Sequence, residues 1–161
     1  MLNVLILCTG NSCRSIMAEG LLNHFGKGKF KAFSAGSHPS GTIHSLSLST
    51  LKANGISTEG YRSKSWDEFA NQPLDAVITV CDNAAGEACP VFFGSPVKAH
   101  WGVPDPAYFK GTQAEIEAEF QRVFDILAVR VKAMIALPEN LDKATLTAKL
   151  NEIGKLCVPH P

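Results

Sequence analysis

A cysteine and an arginine stand near the start of the chain with five residues between them, in Cys8-Thr9-Gly10-Asn11-Ser12-Cys13-Arg14-Ser15. A thiol and a guanidinium at this spacing suit attack on a tetrahedral oxyanion. The intervening residues can form a loop whose amides converge on anionic oxygens. A helix starting after the loop would add the partial positive charge of its N-terminus. Both effects favour the thiolate of Cys8, the nucleophilic form. Arg14 can grip two equatorial oxygens through its planar fork. Ser15 is placed to donate to the same sulfur. Residues Thr9, Gly10, Asn11, Ser12, Cys13, Arg14 and Ser15 are therefore the expected oxyanion-binding loop, with Gly10 and Asn11 suited to a positive φ. The competing reading is a buried structural cysteine at the end of a strand.

Two further constellations carry chemistry. Asp105, in Pro104-Asp105-Pro106, could protonate a leaving oxygen as a general acid; the same tripeptide also reads as a rigid turn. Cys81 and Cys89 flank a small-residue stretch with seven residues between them. Set beside Cys8, Cys81 could attack an adduct on that sulfur, and Cys89 could attack the disulfide so formed. Two unrelated core residues are the alternative. The five cysteines, at 8, 13, 81, 89 and 157, are odd in number and do not suggest a disulfide framework. No CxxC or HxxxH pair is present, the five histidines are scattered, and no metal site is expected.

These residues need a scaffold. Met1 to Leu7 reads as a buried strand, Ser12 to Phe25 as a helix, Phe30 to Ser34 as a strand and Thr42 to Asn54 as a helix. Trp66 to Ala70 reads as a short helical turn with Ser65 as N-cap. Leu74 to Val80 is a β-branched run expected to be covered on both faces. Val97 to Trp101 is a fourth strand, and Gln113 to Leu137 a long amphipathic helix opened by Thr112. Residues 139 to 161 fit one more amphipathic helix with a frayed end. Alternating strands and helices predict an α/β domain with a parallel sheet and helices on both faces. Ligands of such sheets sit beyond the carboxyl ends of the strands. Cys8, Cys81 and the Asp105 loop each follow an expected strand there.

Length and composition set bounds. The chain has 161 residues, enough for one domain with a sizeable core. Fifteen basic and fifteen acidic residues give no argument for nucleic acid or a membrane surface, and no apolar run approaches a membrane span. The first seven residues lack a positive leader region, and removing them as a leader would disturb the loop, so the cytoplasm is the expected compartment.

Taken together, the residues resemble the low-molecular-weight protein tyrosine phosphatase superfamily, and within it the arsenate reductases of the thioredoxin-coupled type. The resemblance rests on the Cys8–Ser15 loop, Met17-Ala18-Glu19-Gly20, Ser34-Ala35-Gly36, Arg62-Ser63-Lys64-Ser65, Val80-Cys81 with Cys89-Pro90, and Trp101 with Asp105-Pro106-Ala107. It covers residues 1–137, implying a phosphatase-like catalytic domain there, with four parallel strands, and a C-terminal extension over 138–161.

The resemblance implies a mechanism. Cys8 attacks arsenate with help from the loop amides and Arg14, and Asp105 protonates the departing oxygen. Cys81 then attacks the Cys8 adduct, releasing arsenite, and Cys89 resolves the disulfide for reduction by thioredoxin. Two thiols supply both electrons, so neither metal nor flavin is required. Phosphate and sulfate would compete for the loop. The interval from Cys81 to Cys89 is one residue longer than in thioredoxin-coupled relatives, which keeps glutathione with glutaredoxin open as reductant. Asn11, Glu19 and Ser34 match part of a potassium site found in some relatives, without a fourth ligand; Glu19 also reads as a first-turn helix acid. The phosphatase branch remains an alternative, sharing Cys8, Arg14 and Asp105, although Ala107 stands where an aromatic residue is usual and Ile16 where proline is. A sensor that forms a reversible Cys8–Cys13 disulfide is a third reading.

Overall fold

The computed structural model describes residues 1–81 and 95–157. Four strands form one sheet: β1 (Leu2–Cys8), β2 (Phe30–Gly36), β3 (Ala76–Thr79) and β4 (Val97–His100). Their order is β2-β1-β3-β4 and every pairing is parallel. Four helices accompany them: α1 (Arg14–Phe25), α2 (Ser45–Ala53), α3 (Gln113–Ile135) and α4 (Lys143–Ile153). Short 3-10 turns cover Trp66–Phe69 and Pro106–Tyr108. The four-stranded parallel α/β architecture agrees with the sequence pattern.

The sheet separates two apolar layers. Val4, Ile6 and Cys8 of β1 join the larger layer, with Ile16, Met17 and Leu21 of α1, Leu51 of α2, Phe120, Val123, Leu127 and Val131 of α3, and Leu150 and Ile153 of α4. Leu5 and Leu7 point the other way, into a smaller layer with Phe69, Leu74 and Val77. This alternation is the period-two geometry of a strand covered on both faces.

Element ends differ from the sequence reading where the loops intervene. Helix α2 starts at Ser45 rather than Thr42, because the His44 ring accepts from Leu46 N–H at 3.1 Å and caps it. Helix α1 starts at Arg14, with Ser12 and Cys13 still in the loop. Strand β2 runs two residues further than Ser34 and stays in register with β1 up to Cys8↔Gly36. Thr112 opens α3 through a capping box with Glu115. The expected helical turn after Cys81, together with Cys89, lies outside the described residues.

Candidate active site

In a sheet of order β2-β1-β3-β4, successive crossovers leave β1 in opposite directions, so a crevice opens at its carboxyl end beside β3. Cys8 is the last residue of β1, and Cys81 lies just beyond β3.

The loop after Cys8 is held from outside by its carbonyls. Cys8 O accepts from Ser37 N–H (3.3 Å), Thr9 O from His38 N–H (3.0 Å), and Gly10 O from Ser40 N–H (3.0 Å) and the Ser63 hydroxyl (3.1 Å). Ser12 O accepts from His44 N–H (3.3 Å) and the Ser47 hydroxyl (2.9 Å). In a trans peptide the following N–H points opposite to the carbonyl. Outward carbonyls at 8, 9, 10 and 12 therefore turn the N–H groups of Thr9, Gly10, Asn11 and Cys13 inward. Asn11 N–H reaches the Cys8 sulfur at 3.2 Å.

Gly36 makes this wrap sterically feasible. A Cβ there would lie 2.4 Å from Thr9 O and 3.0 Å from Asn11 N. Of the two residues expected at positive φ, Asn11 adopts it (φ 47°) and Gly10 does not. Asn11 tolerates that region because its short polar side chain bonds locally.

That side chain organises a buried network. Asn11 Oδ1 accepts from Lys64 N–H at 2.9 Å, which fixes the orientation of the amide. Its Nδ2 then donates to the Ser15 hydroxyl (2.8 Å) and to the Ser34 hydroxyl (3.0 Å). Each serine oxygen, having accepted, is left with its own proton to donate. Ser34 donates to Glu19, and Ser15 is directed toward the Cys8 sulfur, 2.9 Å away. Cys8, Asn11, Ser15 and Ser34 are all buried. The Ser15 contact anticipated from sequence is present.

Glu19 sits in the second turn of α1 rather than the first. Burial raises its carboxyl pKa, and the Ser34 hydrogen bond and the Lys64 charge oppose that rise. Glu19 and Asn11, two members of the partial potassium set, are thus joined through the third, Ser34. No group of three or more His, Cys, Asp or Glu side chains that could hold a metal occurs among the described residues.

Arg14 stands between the loop and the segment after β4. Its Nη1 donates to Val103 O at 3.0 Å and its Nη2 to Asp105 Oδ2 at 3.3 Å. Asp105 Oδ1 accepts from Ala107 N–H at 2.9 Å. One Asp105 oxygen caps the turn at Pro106–Tyr108, in keeping with the turn reading, and the other faces the arginine. Cys13 is buried, and that burial pushes its thiol up to about 11, against a hydrogen bond from Ser47; Asp105 adds to the rise. Cys81 is also buried, with its sulfur 3.4 Å from Thr9 Oγ1. Cys8, Arg14, Asp105 and Cys81 thus gather at one end of the sheet.

Sequence reasoning assigned no role to Ser37, His38, Ser40, Ser47, Ser63 or the Val103 carbonyl. Most act through backbone groups, which leave no side-chain signature. No helix among the described residues is long and apolar enough to cross a membrane.

A parallel sheet with a thiol, an inward amide loop and an arginine at its switch point defines a class of cysteine-dependent oxyanion enzymes. The model of the low molecular weight phosphotyrosine protein phosphatase family matches residues 3–148, and the chain belongs to that family. An arsenate reductase of Halalkalibacterium halodurans is 36% identical over 129 residues, spanning 80% of this chain and 91% of that protein. A solved arsenate reductase in the phosphate binding state superposes with a TM-score of 0.70 at 30% identity, over 84% of this chain and 98% of the other. The Corynebacterium glutamicum thioredoxin-dependent arsenate reductase is 26% identical with a TM-score of 0.57, over 82% of this chain and 62% of the other.

Proposed function

We propose that the protein reduces arsenate to arsenite by a cysteine nucleophile followed by thiol–disulfide exchange. The observation that carries this reading is the Cys81 sulfur, 3.4 Å from Thr9 Oγ1 on the wall of the oxyanion loop. Hydrolysis of a phosphoester needs no such second thiol.

Arsenate enters the loop, where inward amides and Arg14 hold its oxygens. The Cys8 thiolate attacks arsenic, and Asp105 gives a proton to the oxygen that leaves, so the loss is water rather than hydroxide. Ser15 and Asn11 N–H orient the sulfur throughout. Cys81, as thiolate, attacks the Cys8 sulfur. The sulfur–arsenic bond breaks with its electron pair moving onto arsenic, so As(V) becomes As(III), arsenite departs and a Cys8–Cys81 disulfide remains. Cys89 attacks Cys81, freeing Cys8 and leaving a Cys81–Cys89 disulfide. Thioredoxin is the reductant we favour, given the thioredoxin-dependent relative; glutathione with glutaredoxin is the alternative. Both reductants place the protein in the reducing cytoplasm.

The test is arsenate-dependent NADPH oxidation in a mixture of thioredoxin and thioredoxin reductase. Cys81→Ser abolishes turnover and retains phosphate binding. Normal arsenate reduction by that variant would refute the relay. Hydrolysis of p-nitrophenyl phosphate at enzyme-like rates, surviving loss of Cys81 and Cys89 and without any arsenate turnover in the wild type, would instead establish the phosphatase reading.

A further inference from the structure

The residues after α3 play no part in the chemistry above, yet they grip the segment that presents Val103 and Asp105 to Arg14. Helix α4 lies along the outer side of β4. Asn151 Oδ1 accepts from His100 N–H at 3.1 Å, satisfying an edge group of the sheet. Leu150 O accepts from the Trp101 indole N–H at 2.8 Å, and Trp101 is fully buried. Gly154, which ends α4, allows the approach: a Cβ there would lie 2.4 Å from His100 O and 2.9 Å from the Trp101 ring.

Arg130 of α3 closes the arrangement. It is only 3% exposed. Its Nη1 donates to Trp101 O (2.8 Å) and Gly102 O (3.1 Å), and its Nε donates to Leu156 O (3.0 Å). One guanidinium thus ties the residues after α4 to the two residues that precede Val103. Val103 is fixed on its other side by its N–H to Val80 O (3.2 Å), and its carbonyl holds Arg14 Nη1 at 3.0 Å. A planar fork suits this work because its donors diverge in one plane at fixed angles, which a lysine cannot reproduce.

We propose that Arg130 is a positioning residue: with α4 and Leu156 it sets the Trp101–Asp105 segment so that Val103 and Asp105 hold Arg14 ready for the oxyanion. This assigns the C-terminal extension a part in oxyanion binding at the site proposed above, without contact to the substrate. Loss of the fork leaves the loop carbonyls unpaired and lets the segment drift, and Arg14 drifts with it. Displacements of about 1 Å at such sites cost on the order of a hundredfold in rate.

The experiment measures inorganic phosphate affinity by calorimetry, thermal stability, and kcat and KM for arsenate in the full-length chain. Phosphate binding needs no reduction, so a wild type that binds phosphate and fails to reduce arsenate sinks the proposed function while leaving this inference under test. In Arg130→Met the phosphate Kd rises by about tenfold or more, and the loss in kcat/KM for arsenate appears chiefly in KM. Arg130→Lys restores part of the affinity. Lys143→Ala removes the 2.9 Å bond from α4 to Ser95 O at the opposite end of the sheet; it lowers stability and leaves phosphate affinity unchanged. Trp101→Phe keeps a ring, loses the bond to Leu150 O and vacates part of the buried indole's space, weakening phosphate by about threefold. A folded Arg130→Met with wild-type phosphate affinity overturns the proposal. Should Arg130→Met fail to fold, unchanged affinity in Trp101→Phe overturns it equally.

Discussion

Replacing Gly36 by alanine tests whether the loop is shaped by what lies beneath it. The new Cβ would stand 2.4 Å from Thr9 O, where ordinary contact begins at 3.4 Å. The carbonyl must therefore retreat by about 1 Å, unless the strands part. They are held in unbroken register from Leu2↔Phe30 to Cys8↔Gly36, so the loop yields first. Its retreat stretches the 3.0 Å bond from His38 N–H to Thr9 O and displaces Asn11 N, itself 3.0 Å from the added Cβ. Overpacking of this kind costs about 1–3 kcal/mol, which lowers Tm by roughly 2–12 °C in a chain of this size. The larger effect falls on chemistry, because a 1 Å misplacement of a reacting group costs about a hundredfold. Gly36→Ala should thus lose far more in arsenate-dependent NADPH oxidation than in Tm, and should bind phosphate weakly. Turnover and phosphate affinity equal to those of the wild type, in a folded variant, would refute the claim that Gly36 sets the loop.

Asp105→Asn preserves the cap, since asparagine serves as well as aspartate at that position, and removes both the acid and the charge that faces Arg14. Turnover should fall by about 10²–10⁴-fold with little change in Tm; equal activity would remove Asp105 from the mechanism. Cys13 predicts an alkaline limb of instability. Its folded thiol is pushed up to about 11 from an ordinary 9.0, so the folded state holds that proton more tightly than the unfolded state. The stabilisation is complete below pH 9 and is lost as pH rises toward 11, by about 2–3 kcal/mol. Urea unfolding at pH 7 and 10.5 should show that extra loss in the wild type but not in Cys13→Ala; parallel losses would contradict it.

The site was legible where side chains carry the chemistry and the backbone runs regularly. Met1 to Leu7 reads as a buried strand, and the structure carries that strand one residue further, through Cys8. The placing of Cys8, Cys81 and Asp105 just after expected strands already puts them at the same end of a parallel sheet. What stayed hidden depends on backbone groups and on distant packing. The donors from Ser37, His38 and Ser40 to the loop carbonyls are main-chain amides that any residue possesses. Glu19 looked like a helix-start acid because nothing local reveals that Ser34, fifteen residues on, lies against it. Gly10 and Asn11 looked interchangeable as left-handed residues; the Lys64 amide, bonded to Asn11 Oδ1, distinguishes them. Arg130 drew no notice in the sequence, since its carbonyl partners lie 26 to 29 residues away.

The parallel register itself argues for the relay. Leu7 pairs with Thr79, and Val80 N–H continues the ladder to Leu7 O at 2.9 Å. Extended by two residues, that register sets Thr9 beside Cys81, as their 3.4 Å side-chain contact reflects, and leaves Cys8 one residue out of step with Cys81. Successive strand residues face opposite ways, so exchange between Cys8 and Cys81 requires the segment after β3 to turn Cys81 toward Cys8. A loop that traps an oxyanion serves phosphoryl transfer and arsenate reduction equally well. A buried thiol one strand over, in contact with Thr9 of that loop, serves only the second. The thiol's position follows from the register of β1 against β3, so removing it alone, as in Cys81→Ala, should break arsenate turnover while phosphate affinity persists; turnover equal to that of the wild type would refute the relay.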